Sequence, residues 1–490
     1  MSARAGVAFA FDGPAWERAE AVHASSVLAS LLELPVRLVP AGAGAAEHEA
    51  VVHVGDPERV PEHAAAVIPC TAWDRWVTSE VSLAPYETVA LPAPGGDLGP
   101  RRSERHLPDP WLRSAAWMLQ REEETQETHR DEWGCFSGFS SRLHELGAID
   151  TPVVNRMIEP LERRVRAWFE RRHLEPPSRP RWKHGARFAV ALTHDVDAVR
   201  YFSVREGLRL LRRARGPRSY AFRRGLAQVA ESLFSSGRGG DPFWTFDRWV
   251  AEEERHGFRS TYFFLPSSPA RVHEYDGTYA WDDPVAFQGR RGTVRDLMRG
   301  LASRGHEIGL HAAYLSHRDG DELRREKHEV EEALGAPVAG LRQHFLRFDI
   351  EATWAAQQQA GFAYDATLGF NEALGFRAGV AAPFRPWRVD SRSPAELLEL
   401  PLTVMDGVLF RTLKLDRDLA TRRVRRHLDA VEACGGLAVL LWHPNAADAS
   451  RYPGWFEAYA EILEELAARR AWVATAGEVA AWWSERSRQG

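Results

Sequence analysis

Only three cysteines occur in 490 residues, Cys70, Cys135 and Cys434, widely spaced and without a CxxC. That argues against a disulfide framework and a thiolate zinc site, and it fits a reducing compartment. Long apolar runs are lacking too. The early run Ala5 to Phe11 is interrupted by Asp12, and no stretch approaches the roughly 18 residues needed to span a bilayer. The chain is therefore expected to be cytoplasmic, without a signal peptide or membrane span. Nor does one sign of charge dominate. Lys and Arg total 63 against 68 Asp and Glu, and a formal charge of −5 excludes a general nucleic-acid binder. Repeats and low-complexity tracts are absent.

An apolar fraction of 44% and a charged fraction of 27% describe an ordinary globular chain, long enough for two or three cores. The proline- and cation-rich piece RRHLEPPSRPRWKHG, residues 171–185, has no usable periodicity and reads as a linker. Residues 1–170 before it combine short apolar strands with two helical pieces, a smaller α/β plus helical domain of unknown role. The second piece, TPVVNRMIEPLERRVRAWFERR, offers Thr151 as N-cap and Pro152 in the first turn. After the linker, strand-like and helix-like runs alternate over 186–485, the pattern of a parallel α/β sheet or barrel.

Several strand candidates end in a chemically capable residue. RFAVALTHDVD delivers Asp195 and Asp197, EIGLH delivers His311, AGLRQHF delivers Arg342 and His344, FAYD delivers Asp365, and LAVLLWHP delivers His443. In a barrel of alternating strands and helices such ends converge on one face. Side chains alternate along a strand, so Asp195 and Asp197 share one face while His194 and Val196 share the other. Two neighbouring carboxylates repel unless a cation or a divided protonation state relieves them. His306 and His311, at opposite ends of HEIGLH, lie roughly 16 Å apart if extended and cannot share a metal. A set of one aspartate and two histidines with an open position suits a divalent ion, zinc above others. A second carboxylate, a histidine and an arginine beside it complete the inventory for metal-assisted hydrolysis of an ester or amide.

THDVD (193–197), GHEIGLH (305–311), LRQHFLRF (341–348) and LLWHPN (440–445) resemble, in order and spacing, the motifs of the polysaccharide deacetylase or NodB-homology domain, carbohydrate esterase family four. The resemblance covers about 186–485, within a subgroup whose first motif reads THDVD. Residues 1–170 resemble a poorly characterised domain found before such deacetylases in bacterial exopolysaccharide contexts. What it implies is a distorted (β/α) barrel with the site at the strand C-termini, Asp195 as general base, Arg342 bracing it, Asp197 and His311 as metal ligands, and His443 as general acid. The family's second metal histidine lies four residues after the first, and that position here is Leu315. Either His344 or His317 replaces it, or the site lacks a third protein ligand and binds metal weakly; His344 is favoured because it shares a strand face with Arg342. Tyr314, Glu372, Arg377 and Trp442 are candidates to line a sugar site.

The implied activity is removal of acetyl from an N- or O-acetylated sugar or glycoconjugate. A glycosyltransferase using Asp-x-Asp, a non-catalytic carbohydrate binder on a decayed barrel, and hydrolysis of a non-sugar amide are the rival readings. Residues 200–228 carry nine arginines with apolar residues at roughly helical spacing. They read as a solvated basic insert or as a peripheral contact with an anionic membrane or a phosphorylated substrate.

Overall fold

A computed structural model describes residues 6–40, 43, 48–70, 77–82, 88–93, 105–107, 111–213, 216–217, 220–235, 240–270, 273, 275–277 and 279–488. At its centre lies the strand Ala189–Val196, buried at every position. A parallel strand covered on both faces needs that unbroken apolar run, which is why the segment lacks the alternation of a half-exposed strand. Around it stands a nine-stranded sheet. Along the sheet the order is Leu398–Glu399, Tyr364–Asp365, Gly340–Gln343, Glu307–Ala312, Thr261–Phe264, Ala189–Val196, Leu437–Leu441 and Val404–Met405. The ninth strand, Trp472–Ala474, also pairs with the central one. Every pairing in this sheet is parallel. The result is the expected α/β architecture, a distorted and open barrel of parallel strands.

Helices cover the outside. Val294–Ser303 starts at a reciprocal cap between Thr293 and Asp296, and Gly320–Leu334 starts at Asp319 and stops at Gly335 in the left-handed region. The alternation of the central strand divides the packing. Phe188, Val190 and Leu192 face a core under the helices Arg417–Ala433 and Trp455–Arg469, whereas Ala189 and Ala191 face inward. His194 and Val196 follow the outer parity, and Asp195 and Asp197 the inner one.

The N-terminal residues form a four-stranded parallel sheet, in the order Val36–Pro40, Gly6–Phe11, Glu49–Gly55, Ala66–Pro69, with the helix Ala19–Leu31 against it. Two further helices, Trp111–Leu119 and Val153–Arg171, then pack on the barrel. The second starts at Val153 with Pro152 in the capping position and no side-chain cap, so Thr151 does not play the N-cap role its sequence suggests. One continuous apolar core runs from Phe9 and Leu28 through Trp117 and Val154 to Tyr364 and Val439 inside the barrel. Residues 171–185 are ordered against it: Trp182 is buried, its indole N–H donates to the Gly435 carbonyl at 2.8 Å, and its ring packs on Trp483. Among the described residues no helix is long and apolar enough to cross a membrane.

Charged groups tie the two halves together. Arg377 donates to Glu124 through Nε at 2.9 Å and Nη2 at 2.6 Å, and Glu124 also accepts from Arg121 at 2.7 Å. All three are buried. Burial alone would raise the Glu124 pKa, but the two guanidiniums hold it down, to about 2. Removing one partner of such a group strands the others without solvent. Glu124→Gln should therefore destabilise the protein by about 3 to 5 kcal/mol, read from the shift of the urea midpoint. An unchanged midpoint would show that Arg377 and Arg121 are satisfied without it.

Candidate active site

Thr193, Asp195 and Asp197 leave the central strand toward the inside of the barrel. Asp195 is almost fully buried. Its Oδ1 accepts from Arg342 Nη1 at 2.9 Å, and the same nitrogen donates to Thr193 Oγ1 at 2.8 Å. Arg342 is fully buried, with Nε on the Ala366 carbonyl at 2.8 Å. A guanidinium fixed at both ends sets the carboxylate plane and leaves Oδ2 facing the pocket.

His311 ends the strand Glu307–Ala312. Its Nδ1 lies 2.9 Å from the Arg342 carbonyl, so Nε2 points at the aspartates, 3.2 Å from Asp197 Oδ1 and 3.6 Å from Asp195 Oδ2. Burial would lower its pKa, but Asp195 and Asp197 raise it. His344 comes from the next strand over. Its Nδ1 is 3.3 Å from Asp276 Oδ1 and its Nε2 3.6 Å from Asp197 Oδ1. Burial would raise the Asp197 pKa, yet His344, His311 and His443 hold it well below the usual carboxylate range.

The strand reading predicted His344 by its shared face with Arg342. His344 does lie beside Asp197, but the backbone differs. The strand stops at Gln343, and Phe345 and Leu346 turn into the left-handed region at φ 55° and 49°. Two consecutive residues there carry real strain, which has to be offset by their surroundings. Asn371 Nδ2 donates to the Phe345 carbonyl at 2.9 Å, and the Cys135 thiol donates to the Leu346 carbonyl at 3.3 Å.

His443 follows the strand Leu437–Leu441. Its Nδ1 is 2.7 Å from Asp406 Oδ1, its own N–H donates to Asp406 Oδ2 at 2.9 Å, and Nε2 is 3.5 Å from Asp197 Oδ2. Burial would lower the imidazole pKa, but Asp406, with help from Asp197 and Asp195, pushes it up to about 9. Asp406 and Asp276 were missing from the sequence reading. Asp406 had a signal, since it ends the apolar run PLTVMD; Asp276 sits in an irregular loop and had none.

Asp197, His311 and His344 offer ligand atoms that all lie within 4.8 Å of one another. Asp197 Oδ1 is buried without a hydrogen-bond partner, and each histidine has its Nδ1 engaged elsewhere. One carboxylate oxygen and two Nε2 atoms turned to one point are a donor set that fits a divalent metal. His317 lies outside this set. It is buried, burial being the main reason its pKa falls to about 4.

The pocket over these groups encloses about 380 Å³ and is lined by Asp195, Asp197, His311, His344, His443 and Glu372 among others. Of the remaining candidates, Arg377 is spent on Glu124, and Trp442 is fully buried with its indole N–H on the Trp455 carbonyl at 3.2 Å. Tyr314 does not line the pocket either; its hydroxyl donates to the Trp133 carbonyl at 2.6 Å. Asp365 turns to the N–H of Thr367 at 3.1 Å, beneath the site.

No family model matches the sequence, and no curated protein matches it. Solved structures do. A Mycobacterium smegmatis protein assigned as a polysaccharide deacetylase is 22% identical, with a TM-score of 0.42 over 62% of this chain and 93% of that one. An allantoinase, PuuE, is 14% identical, with a TM-score of 0.41 over 64% and 95%. A Pseudomonas aeruginosa PAO1 protein described as a probable polysaccharide deacetylase is 13% identical, with a TM-score of 0.41 over 64% and 95%.

A metal titration separates the two histidines experimentally. Asp276→Asn, which disturbs the group orienting His344, should weaken zinc binding by about 10- to 100-fold in a competition titration with a chelating dye. His317→Ala should leave the same titration unchanged. The reverse pattern would move the third ligand to His317.

Proposed function

We propose that this protein is a metal-dependent hydrolase that removes acetyl from an N- or O-acetylated sugar in polysaccharide or glycoconjugate assembly, including exopolysaccharide. The observation that carries the reading is the placing of Asp195 and His443 on two sides of one three-donor cluster. Asp197, His311 and His344 would hold the ion, with zinc favoured by one carboxylate and two imidazoles. A divalent ion there supplies Lewis acidity toward an acyl oxygen and makes water a stronger nucleophile.

The protein's own groups then divide the proton work. Asp195 Oδ2, free of Arg342, takes the proton of a water that attacks the acetyl carbonyl. Arg342 keeps the carboxylate in place while this happens. His443 faces the pocket through Nε2, its ring fixed by Asp406 on the other nitrogen. It gives a proton to the amine or alcohol as the bond between carbonyl carbon and leaving group breaks, releasing acetate. The three histidines also weigh against a glycosyltransferase, in which Asp-x-Asp would hold a nucleotide-bound ion and leave His311, His344 and His443 without a task.

The same reading puts the enzyme in the cytoplasm, with the insert at 200–228 meeting an anionic membrane face. Part of that segment lies outside the described residues. The described part includes the helix Val204–Arg213 and the first turns of Tyr220–Ser235, where Leu208 and Leu226 are exposed. Exposed leucines among arginines suit a bilayer interface. Sedimentation with phosphatidylserine vesicles at low salt, weakened by added salt, is the expected result; no sedimentation ends the idea.

For the chemistry, Asp195→Asn should lower acetate release from N-acetylglucosamine oligosaccharides by about 10² to 10⁴-fold with zinc content unchanged. Full activity in the zinc-loaded variant would remove Asp195 from the mechanism.

A further inference from the structure

The barrel does not wall the pocket by itself. Glu132, Trp133 and Phe139 line it from a loop of the N-terminal half, far upstream of the first barrel strand. That loop is fixed in place. Asp131 Oδ1 accepts from the N–H groups of Trp133 at 3.0 Å and Cys135 at 2.7 Å, and its Oδ2 accepts from Asn371 at 3.1 Å. The Trp133 carbonyl accepts from Tyr314 and from Arg347 Nη1, each at 2.6 Å. The Ser137 hydroxyl donates to Glu372 on the opposite wall. Gly134 is required between them: at φ +73° a Cβ would fall on the Arg347 guanidinium.

So much anchoring serves a loop that presents two aromatic rings to the pocket. Trp133 packs nearly parallel to Phe345, 6.0 Å between centroids and 25° between planes. Phe139 is 55% exposed although it lies beside buried Cys135, Phe136 and Ser137. Rigid apolar faces beside the carboxylates of Glu132 and Glu372 make a surface that is apolar on one side and hydrogen-bonding on the other. A pyranose ring has the same division, C–H groups on its faces and hydroxyls around its edge.

We infer that residues 131–139 form the substrate-recognition wall of the site: Trp133 and Phe139 take the face of the acetylated sugar ring, and Glu132 and Glu372 accept bonds from its hydroxyls. This rests on the acetyl-sugar reading and deepens it, because Asp195, His443 and the ligand cluster handle the acyl group alone. Selection of a sugar over another amide then belongs to the N-terminal half. Trp133 and Phe139 are specificity-determining residues, and neither touches the reacting atoms.

The test uses the full-length, zinc-loaded protein with Phe139→Ala and Trp133→Leu. Both leave the backbone bonds of the loop in place. Acetate release is followed with N-acetylglucosamine trisaccharide and with ethyl acetate, an acetyl donor without any ring. Binding of the trisaccharide is read separately by saturation-transfer NMR. Each variant should raise KM for the trisaccharide about tenfold, weaken saturation transfer, and leave ester hydrolysis and zinc content as in wild type. An equal fall on both substrates, or none on the trisaccharide, overturns the wall. Should wild type release no acetate from the sugar yet show saturation transfer, the deacetylase reading fails, and loss or retention of transfer in the variants still decides for or against the wall. Absence of transfer in wild type overturns both.

Discussion

Two carboxylates leave the central strand on one face, and the groups facing the pocket answer that concentration of negative charge. Asp195 alone would repel Asp197 across a partly buried site, where like charges interact more strongly than in solution. Arg342 meets the first of them directly, and His311 stands between the two within 3.6 Å of both. His344 and His443 close on the second from different strands. A parallel sheet is what makes this convergence affordable in chain length, since every strand delivers its last residue to the same end.

The two aspartates do not end up equivalent. Asp195 is bound to an arginine that never loses its charge, and its free oxygen points at the pocket. Asp197 is surrounded by imidazoles and keeps one oxygen buried without a partner. The two acids thus meet different surroundings, although nothing distinguishes the acids themselves.

Strand ends made much of this legible in advance. His311, Arg342 and His443 follow apolar runs, and parity along Ala189–Val196 correctly separates Asp195 from His194, which turns outward to Glu253. Legibility fails where position is set by irregular backbone. Asp276 reaches His344 from a loop with no periodicity, and the left-handed turn at Phe345 has no glycine to announce it. Arg377 shows the opposite failure: a cation near a motif looked like a sugar contact, but a buried arginine with two bonds to one carboxylate has no capacity left for a ligand. The N-terminal loop was invisible for the same reason, because its contacts to Arg347 and Asn371 cross more than two hundred residues.

Leu315 gains a meaning from this network. On the proposed reading, His344 takes the place that a histidine four residues after His311 would hold, and the loop around Leu315 does something else. Tyr314, next to Leu315, donates its backbone N–H to Asp276 Oδ1 at 2.8 Å, the same oxygen that faces His344 Nδ1. Its hydroxyl meanwhile fixes Trp133. One tyrosine thus links the carboxylate beside His344 to the loop 131–139 that lines the pocket. His344 occupies one side of the cluster, and the strained turn that follows it depends on Cys135 from the loop 131–139. The placing of His344 and the anchoring of the N-terminal loop at the pocket are, on this geometry, parts of one hydrogen-bonded network.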